Sequence, residues 1–290
     1  MKPLAGGVDA HVHIIGSQQD YPMTAERHYT PGVASTAQLQ AHLAKQGLDR
    51  AVIIQPSVYG FDNRCMLDAL QALAKQHIQA RGVAVLPQTV SLDEIKQLDA
   101  QGVRGIRLNI ESTGHFNAAD LANQLQLWGS RLADFGWHIQ VYAPMAWLAS
   151  CEAVIARSPV PVVLDHFALW TDAACERDAK ALLRLLAAGR IYIKLSASYR
   201  TAIEGEPLCS VAPRLLATNP DRVLWGSDWP HTNREVGRGA LEVSRYREID
   251  PEAMRQERMD WLSPTDGLLG VQTDWQQAVL IDNPARLYRF

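Results

Sequence analysis

Polar side chains that can move a proton, bind a metal ion or bind an acid recur in this sequence at the ends of short apolar runs. The first run, VDAHVHI, carries two histidines two positions apart, and the last, VLWGSDWP, carries an aspartate. Alternate residues of a strand lie on one face, so His11 and His13 point the same way. Imidazole and carboxylate groups serve in acid–base catalysis or bind metal ions. An isolated HxH pair is weak evidence, whereas Asp228, a carboxylate between two tryptophans, is stronger evidence.

Further polar residues lie within the eight apolar runs or directly after them. These are Asp9, Gln55, Ser57, Arg104, Arg107, Asn109, His138, Gln140, Tyr142, Asp165, His166, Lys194, Ser196, Tyr199 and Arg200. Buried polar groups are costly unless they are paired or used. Their recurrence near the same end of seven of the eight runs therefore predicts a functional site. His138 lies early in its run and is expected to be structural. The histidines expected in solvent are His28, His42, His77 and His115.

The apolar runs are rich in β-formers and alternate with helix-like segments. They span residues 6–14, 50–57, 80–87, 103–110, 137–143, 160–167, 191–198 and 222–230. Strands that alternate with helices pair in parallel through right-handed crossovers. Eight such units in 290 residues predict an α/β fold, a (β/α)8 TIM barrel, whose active site lies at the carboxyl ends of the strands. The alternative is an open doubly wound sheet, but no GxGxxG follows the first run.

Length and composition predict a single domain, residues 1–290, with a C-terminal helical extension. The net charge of −3 indicates no basic surface for nucleic acid. No apolar run approaches eighteen residues and the N-terminus does not resemble a signal peptide, so we expect no membrane association and a cytoplasmic location. The four cysteines form no CxxC pair and are expected to be reduced and mostly buried. The extension carries Trp261 and Trp275, expected at the surface, and it caps the barrel, covers the site or forms a dimer contact. The chain is either a monomer or a homo-oligomer.

The motifs DAHVHI, VLDHFA and VLWGSDWPH together resemble the amidohydrolase superfamily. RGIRLN, WHIQVY, IKLSASYR and the closing NPARLYRF narrow the resemblance to the branch of 2-pyrone-4,6-dicarboxylate hydrolases and sugar-lactone hydrolases, which also holds a galactarolactone isomerase. The resemblance runs nearly from end to end. It implies that the partner is a small-molecule lactone with a carboxylate, which is hydrolysed or rearranged.

The resemblance also implies residue roles. Those implied in catalysis are Asp228, His11, His13 and His166, and those implied in substrate binding are Arg107, Arg200, Tyr142 and Ser57. One position departs from the pattern, because Thr113 stands where the pyrone dicarboxylate enzymes have a further arginine. A diacid would lose a bidentate partner there, so a sugar-acid lactone with one carboxylate is a comparable candidate.

The expected mechanism uses Asp228 as the base for water that attacks the lactone carbonyl, with imidazole N–H groups around the oxyanion. An apolar setting from Trp225 and Trp229 would raise the pKa of Asp228, whereas cationic histidines nearby would oppose that rise, and the sequence leaves the balance open. A lactone isomerase would use the same residues, with a substrate hydroxyl in place of water. A non-catalytic sensor of small acids would explain the arginines but not a carboxylate that faces three histidines.

A metal ion is the remaining alternative. Metal-dependent members of the superfamily add histidines from the fifth and sixth strands, whereas the fifth run here offers Tyr142 and Gln140. The resembled branch turns over without a metal, and we predict that no cofactor is required. The alternative is a metal-dependent amidohydrolase or decarboxylase with one divalent ion, such as Zn²⁺, held by His11, His13 and Asp228.

Overall fold

Eight parallel strands form one sheet in the computed structural model, which describes residues 4–110, 117–171, 176–201, 207–233, 239–262 and 275–290. In order of pairing they are β1 (Val8–Val12), β3 (Arg50–Ile54), β4 (Gln79–Ala84), β5 (Val103–Asn109), β6 (His138–Tyr142), β7 (Val162–Leu164), β8 (Ile191–Leu195) and β9 (Val223–Trp225). Each lies within, or within a residue of, one predicted run. The predicted (β/α)8 barrel is therefore confirmed. The sequence did not predict the small parallel pair β2 (Thr30–Pro31) and β10 (Val243–Ser244).

Helices follow the strands, as the alternation predicts. Those up to β9 are α1 (Thr36–Gln46), α2 (Arg64–Lys75), α3 (Leu92–Ala100), α4 (Ala118–Leu132), α5 (Met145–Ser150), α6 (Glu152–Arg157), α7 (Glu176–Ala187) and α8 (Pro207–Thr218). The C-terminal extension contains α9 (Pro251–Leu262) and α10 (Trp275–Gln277), which continues through a π-helical turn (Ala278–Asp282) into α11 (Asn283–Tyr288). In the described part of the chain, no helix has the length and apolarity that a bilayer span requires.

Helix α1 illustrates how local sequence sets these elements. Ser35 and Gln38 form a capping box at its start, and Gly47 ends it in the left-handed conformation at φ 66°. Its buried face carries Leu39 and also His42, which is only 7% exposed. The expectation that His42 lies in solvent is therefore wrong, because the helix turns this ring toward the barrel.

The C-terminal extension packs into the core. Trp261 and Trp275 are only 6% and 4% exposed, and Trp261 meets the ring of Phe167 edge-on at 5.1 Å between ring centroids. The expected surface position of both tryptophans is therefore wrong. The reason is that α9 and α10 join the same apolar cluster as the barrel strands, which removes large aromatic surfaces from water.

The barrel closes at a seam between β1 and β9, where backbone groups just beyond β9 complete the contact. The His13 amide donates to the Trp229 carbonyl at 2.8 Å, and the Asp228 amide donates to the His11 carbonyl at 2.9 Å. Gly226 lies in this seam, and a Cβ built on it would stand 2.6 Å from His11 Cβ. The close approach of the two strands thus depends on a residue without a side chain.

Gly226→Ala is expected to destabilise the protein by about 2–3 kcal/mol, because the methyl group meets the Cβ and backbone of His11 rather than a movable side-chain end. Urea unfolding measures the effect. Gly32→Ala is the matched control, because a Cβ there meets side-chain atoms at an ordinary 3.8 Å, and it is expected to change the unfolding free energy little. Equal stability of the two variants would contradict the close seam.

Candidate active site

The four residues assigned to catalysis from the sequence meet at the carboxyl ends of the barrel strands. Asp228 Oδ1 lies 3.5 Å from His11 Nε2, 3.5 Å from His13 Nε2 and 3.8 Å from His166 Nε2. All four residues are buried. They come from the ends of β1, β7 and β9, so the fold brings together the opening HVH and the late SDW motifs.

The other carboxylate oxygen of Asp228 is held by two donors. Its Oδ2 accepts from Tyr199 Oη at 2.8 Å and from Arg200 Nε at 2.7 Å. Arg200 Nη2 also donates to Thr232 Oγ1 at 2.9 Å. Arg200, expected to bind the substrate carboxylate, is therefore the ion-pair partner of Asp228 in this structure.

These surroundings decide the charge of Asp228. Burial disfavours the ionised carboxyl, but Arg200 and the nearby histidines outweigh burial and hold the pKa of Asp228 well below its usual range. Of the two opposing influences left open by the sequence, charge therefore outweighs the apolar setting, because the Arg200 guanidinium lies 2.7 Å from the carboxylate. Burial lowers the pKa of His166 to about 4, against the attraction of Asp228. An ionised aspartate thus faces a neutral imidazole at neutral pH.

The two β1 histidines differ in how far their contacts fix the positions of the ring protons. His13 Nδ1 lies 2.8 Å from the Ile54 carbonyl oxygen, which only accepts, so Nδ1 donates. His11 Nδ1 lies 3.3 Å from Asp165 Oδ1, and burial lowers the pKa of His11 well below its usual range although Asp165 raises it. Lys194 Nζ, a donor, also lies 3.4 Å from His11 Nδ1, so these contacts fix the neutral tautomer of His13 but not that of His11. Neutral His13 presents an unprotonated Nε2 toward Asp228.

A buried polar network lies beneath His11. Asp165 Oδ2 accepts from Gln140 Nε2 at 3.0 Å and from Arg107 Nη2 at 3.3 Å. Lys194 Nζ donates to Gln140 Oε1 at 2.8 Å and lies 3.5 Å from Asp165 Oδ1. Burial lowers the pKa of Lys194 to about 8, partly offset by Asp165. Asp165 thereby orients both a histidine of the site and one of the predicted substrate-binding arginines.

A polar cavity opens beside this cluster, and all four predicted substrate-binding residues line it. Its lining is His13, Tyr29, Ser57, Arg107, Asn109, Tyr142, His166, Arg200, Asp228 and Thr232. Tyr29 and Thr232 were missed from the sequence. Tyr29 precedes β2 and belongs to no motif, whereas Thr232 directly follows the WPH segment, which could have drawn attention to it. Thr113 lies outside the described residues.

The residues of the cluster fit a divalent metal ion by ligand type. His11, His13 and Asp228 offer one ligand atom each, all within 4.8 Å of one another. Each of the two histidines has an acceptor beside Nδ1, the Ile54 carbonyl for His13 and the Asp165 carboxylate for His11, and such acceptors orient metal-binding imidazoles. The guanidinium of Arg200, 2.7 Å from Asp228, opposes a further positive charge. A metal is therefore compatible with the donor set and electrostatically disfavoured by its neighbour.

Residues predicted outside the site behave largely as expected. His138 is fully buried, and its ring packs edge-on against Tyr288 at 5.2 Å, away from Asp228, which fits a structural role. His28 and His77 are exposed, as expected, whereas His115 lies outside the described residues. Cys65 and Cys151 are free and buried. Cys175 and the side chain of Cys209 are not described.

Comparison with known proteins supports the resemblance to the amidohydrolase superfamily. The amidohydrolase family model matches residues 8–290. A 2-pyrone-4,6-dicarboxylate hydrolase of Comamonas testosteroni is 31% identical over 98% of this chain and 90% of its own length. A 4-sulfomuconolactone hydrolase of Rhizobium radiobacter is 30% identical over the same shares. The solved structure of a probable 2-pyrone-4,6-dicarboxylic acid hydrolase of Acinetobacter baumannii, with citric acid bound, is 25% identical and superposes with a TM-score of 0.76 over 98% of this chain and 100% of that one.

The family model covers nearly the whole chain, and the two hydrolases match 98% of it. The chain therefore belongs to the amidohydrolase family and resembles, within it, the hydrolases of pyrone dicarboxylates and sulfomuconolactones.

Proposed function

We propose that this protein is a lactone hydrolase that acts on a lactone bearing a carboxylate, with Asp228 as the base that activates water. One observation carries the proposal: an ionised carboxylate faces three histidines in a cavity that is also lined by two arginines. The names of the two relatives at 30% identity or more, a pyrone dicarboxylate hydrolase and a sulfomuconolactone hydrolase, support both the lactone ring and the anionic group.

Arg107, Arg200, Tyr142 and Ser57 bind the substrate in this proposal. Asp165 holds Arg107 in place, so its guanidinium is oriented before the substrate arrives. When the substrate binds, the Arg200 guanidinium instead leaves Asp228 and pairs with the substrate carboxylate. That exchange withdraws the nearest cation from Asp228, so the carboxylate becomes more basic once a substrate is bound.

Asp228 then removes a proton from water as the water oxygen attacks the lactone carbonyl. The unprotonated Nε2 of His13 accepts the other hydrogen of that water and orients it. The tetrahedral intermediate collapses by breaking the bond to the ring oxygen, and Asp228 returns the proton to that oxygen. The products are a free hydroxyl group and a new carboxylic acid, which ionises.

His166 is the histidine suited to the oxyanion. Its Nδ1 lies 2.8 Å from Ser196 Oγ, and a hydroxyl can donate as well as accept, unlike the carbonyl beside His13. When Ser196 donates to Nδ1, neutral His166 carries its proton on Nε2, facing the cavity. A well-placed donor of this kind lowers the barrier by about 3–4 kcal/mol.

A single divalent ion, if bound, would be held by His11, His13 and Asp228 and would polarise the carbonyl or acidify water. We propose that turnover does not require it, because Asp228 acts as the base for water and His166 donates to the oxyanion. Dialysis against EDTA and 1,10-phenanthroline is accordingly expected to leave kcat within about 2-fold of the untreated enzyme, a difference under 0.5 kcal/mol in the barrier. Loss of activity that is restored by Zn²⁺ alone would overturn this prediction, and metal analysis of the dialysed protein provides the control.

A pH-stat assay against a panel of lactones tests the proposed function. Hydrolysis releases one proton per lactone, whereas isomerisation of the ring releases none, so base uptake together with substrate loss separates the two reactions. The panel contains 2-pyrone-4,6-dicarboxylate, sugar-acid lactones and, as matched controls, the corresponding lactones without a carboxylate. Turnover of the carboxylated compounds alone is the expected result. Binding without turnover throughout the panel would favour the sensor, and loss of substrate without base uptake would favour the isomerase.

A further inference from the structure

The seam that closes the barrel also holds the proposed base. Asp228 follows β9 with φ at +59°, a left-handed conformation that residues other than glycine rarely adopt. Its own amide is bonded to the His11 carbonyl, and the next residue, Trp229, accepts from the His13 amide. The position of the carboxylate therefore depends on how firmly Ser227 and Trp229 are held on either side.

Asp9 joins the two strands of this seam through one carboxylate. Its Oδ1 accepts from the Ser227 amide at 2.9 Å and from the His11 amide at 3.2 Å. Asp9 is fully buried, so these bonds are shielded from competing water. One oxygen atom thus connects the residue before Asp228 to a histidine that faces it.

His42 on α1 holds the other side of this carboxylate. Its Nε2 lies 3.2 Å from Asp9 Oδ2 and 3.1 Å from Ser227 Oγ, and that hydroxyl oxygen in turn accepts from the Trp229 amide at 3.0 Å. A carboxylate only accepts, so His42 Nε2 carries the proton. The His42 ring also stacks on Trp229 at 5.8 Å between centroids.

We propose that Asp9 and His42 are positioning residues for the proposed hydrolysis: together they fix Ser227 and Trp229 so that Asp228 Oδ1 stays between the three histidines. This inference rests on the proposed role of Asp228 as the base. Neither residue lines the cavity in which the proposed reaction takes place. Their effect reaches the reaction only through the backbone on both sides of Asp228.

Two substitutions at position 42 test the proposal, with the fastest lactone of the panel as the probe. His42→Phe keeps the ring volume and removes the donor, and it is expected to lower kcat at least 10-fold with KM within 3-fold. His42→Gln places an amide N–H at a similar reach and is expected to recover kcat to within 3-fold of the wild type. His28→Gln, at an exposed histidine, is the matched control and should match the wild type. Thermal melting confirms that each assayed variant is folded.

A double-mutant cycle separates positioning from a general structural role. If His42 acts through Asp228, His42→Phe adds no further loss to the residual rate of Asp228→Asn. Should His42→Phe fail to fold, Ser227→Ala, which removes the hydroxyl shared with His42 and Trp229, takes its place with the same expected loss in kcat and the same cycle.

Wild-type kcat in folded His42→Phe, a parallel rise in KM, no rescue by glutamine, or additive losses in the cycle would each overturn the positioning role. Failure of the proposed function gives a different result, because Asp228→Asn would then keep its activity whatever residue stands at position 42.

Discussion

Asp228→Asn is expected to lower kcat about 1,000-fold, because an amide of the same shape cannot take a proton from water. Substrate binding should change little, since Arg107 and the rest of the cavity lining stay in place and Arg200 becomes free to bind the substrate carboxylate. Steady-state kinetics give kcat, and calorimetric titration with the substrate gives the dissociation constant of the inactive variant. This combination separates loss of the base from loss of the site.

Asp178→Asn is the matched control for this substitution. Asp178 is also a mostly buried carboxylate, but it lies on α7 and contacts Arg177 on the outside of the barrel. The substitution Asp178→Asn is therefore expected to leave kcat unchanged. If Asp228→Asn keeps more than about a tenth of wild-type kcat, an effect of less than 1.4 kcal/mol on the barrier, Asp228 is not the base.

Arg200→Met is expected to lower kcat/KM about 100-fold and to move the acid limb of its pH profile upward. The first effect follows from the lost charge-assisted hydrogen bonds to the substrate carboxylate, which contribute about 1.5–3 kcal/mol each. The second follows from the ion pair with Asp228, whose Oδ2 lies 2.7 Å from Arg200 Nε. The same substitution thus tests both partners of the exchange that the mechanism proposes.

The direction of the pH effect follows from the state of Asp228 that reacts. The base must be ionised, so kcat/KM falls as the pH drops through the pKa of Asp228 in the free enzyme. Arg200 helps to hold that pKa well below its usual range, so its removal raises the pKa and the acid limb appears at higher pH. Stopped-flow or steady-state rates between pH 3 and pH 8 measure the shift.

Arg200→Lys and Arg184→Met complete the comparison. Lysine keeps a positive charge near Asp228 but cannot bridge Asp228 and Thr232 as the guanidinium does, so the acid limb should stay near that of the wild type while kcat/KM still falls. Arg184 forms an exposed ion pair with Glu152 on the outside of the barrel, and its removal should alter neither quantity. An unchanged acid limb in Arg200→Met would show that this arginine does not control the base.

The sequence by itself determined the architecture and most of the residues that line the site, although it missed Tyr29 and Thr232. Runs such as 103–110 and 191–198 are continuous in the chain, and their composition and spacing predict strands that the structure confirms as β5 and β8. Parallel strands of a barrel place their carboxyl ends on one rim. For that reason His11, His13, His166 and Asp228 could be predicted to converge although they lie far apart in the chain.

Only the tertiary structure decided how these residues act on one another. The ion pair of Arg200 with Asp228 and the buried contact of His42 with Asp9 each join two different elements of the barrel, and the ion pair helps to lower the pKa of Asp228. Periodicity and motif spacing describe neighbours along the chain, whereas charge interactions depend on distances of a few ångströms between side chains. Asp228 lies between two tryptophans in the sequence, but its pKa is lowered by an arginine 28 residues away.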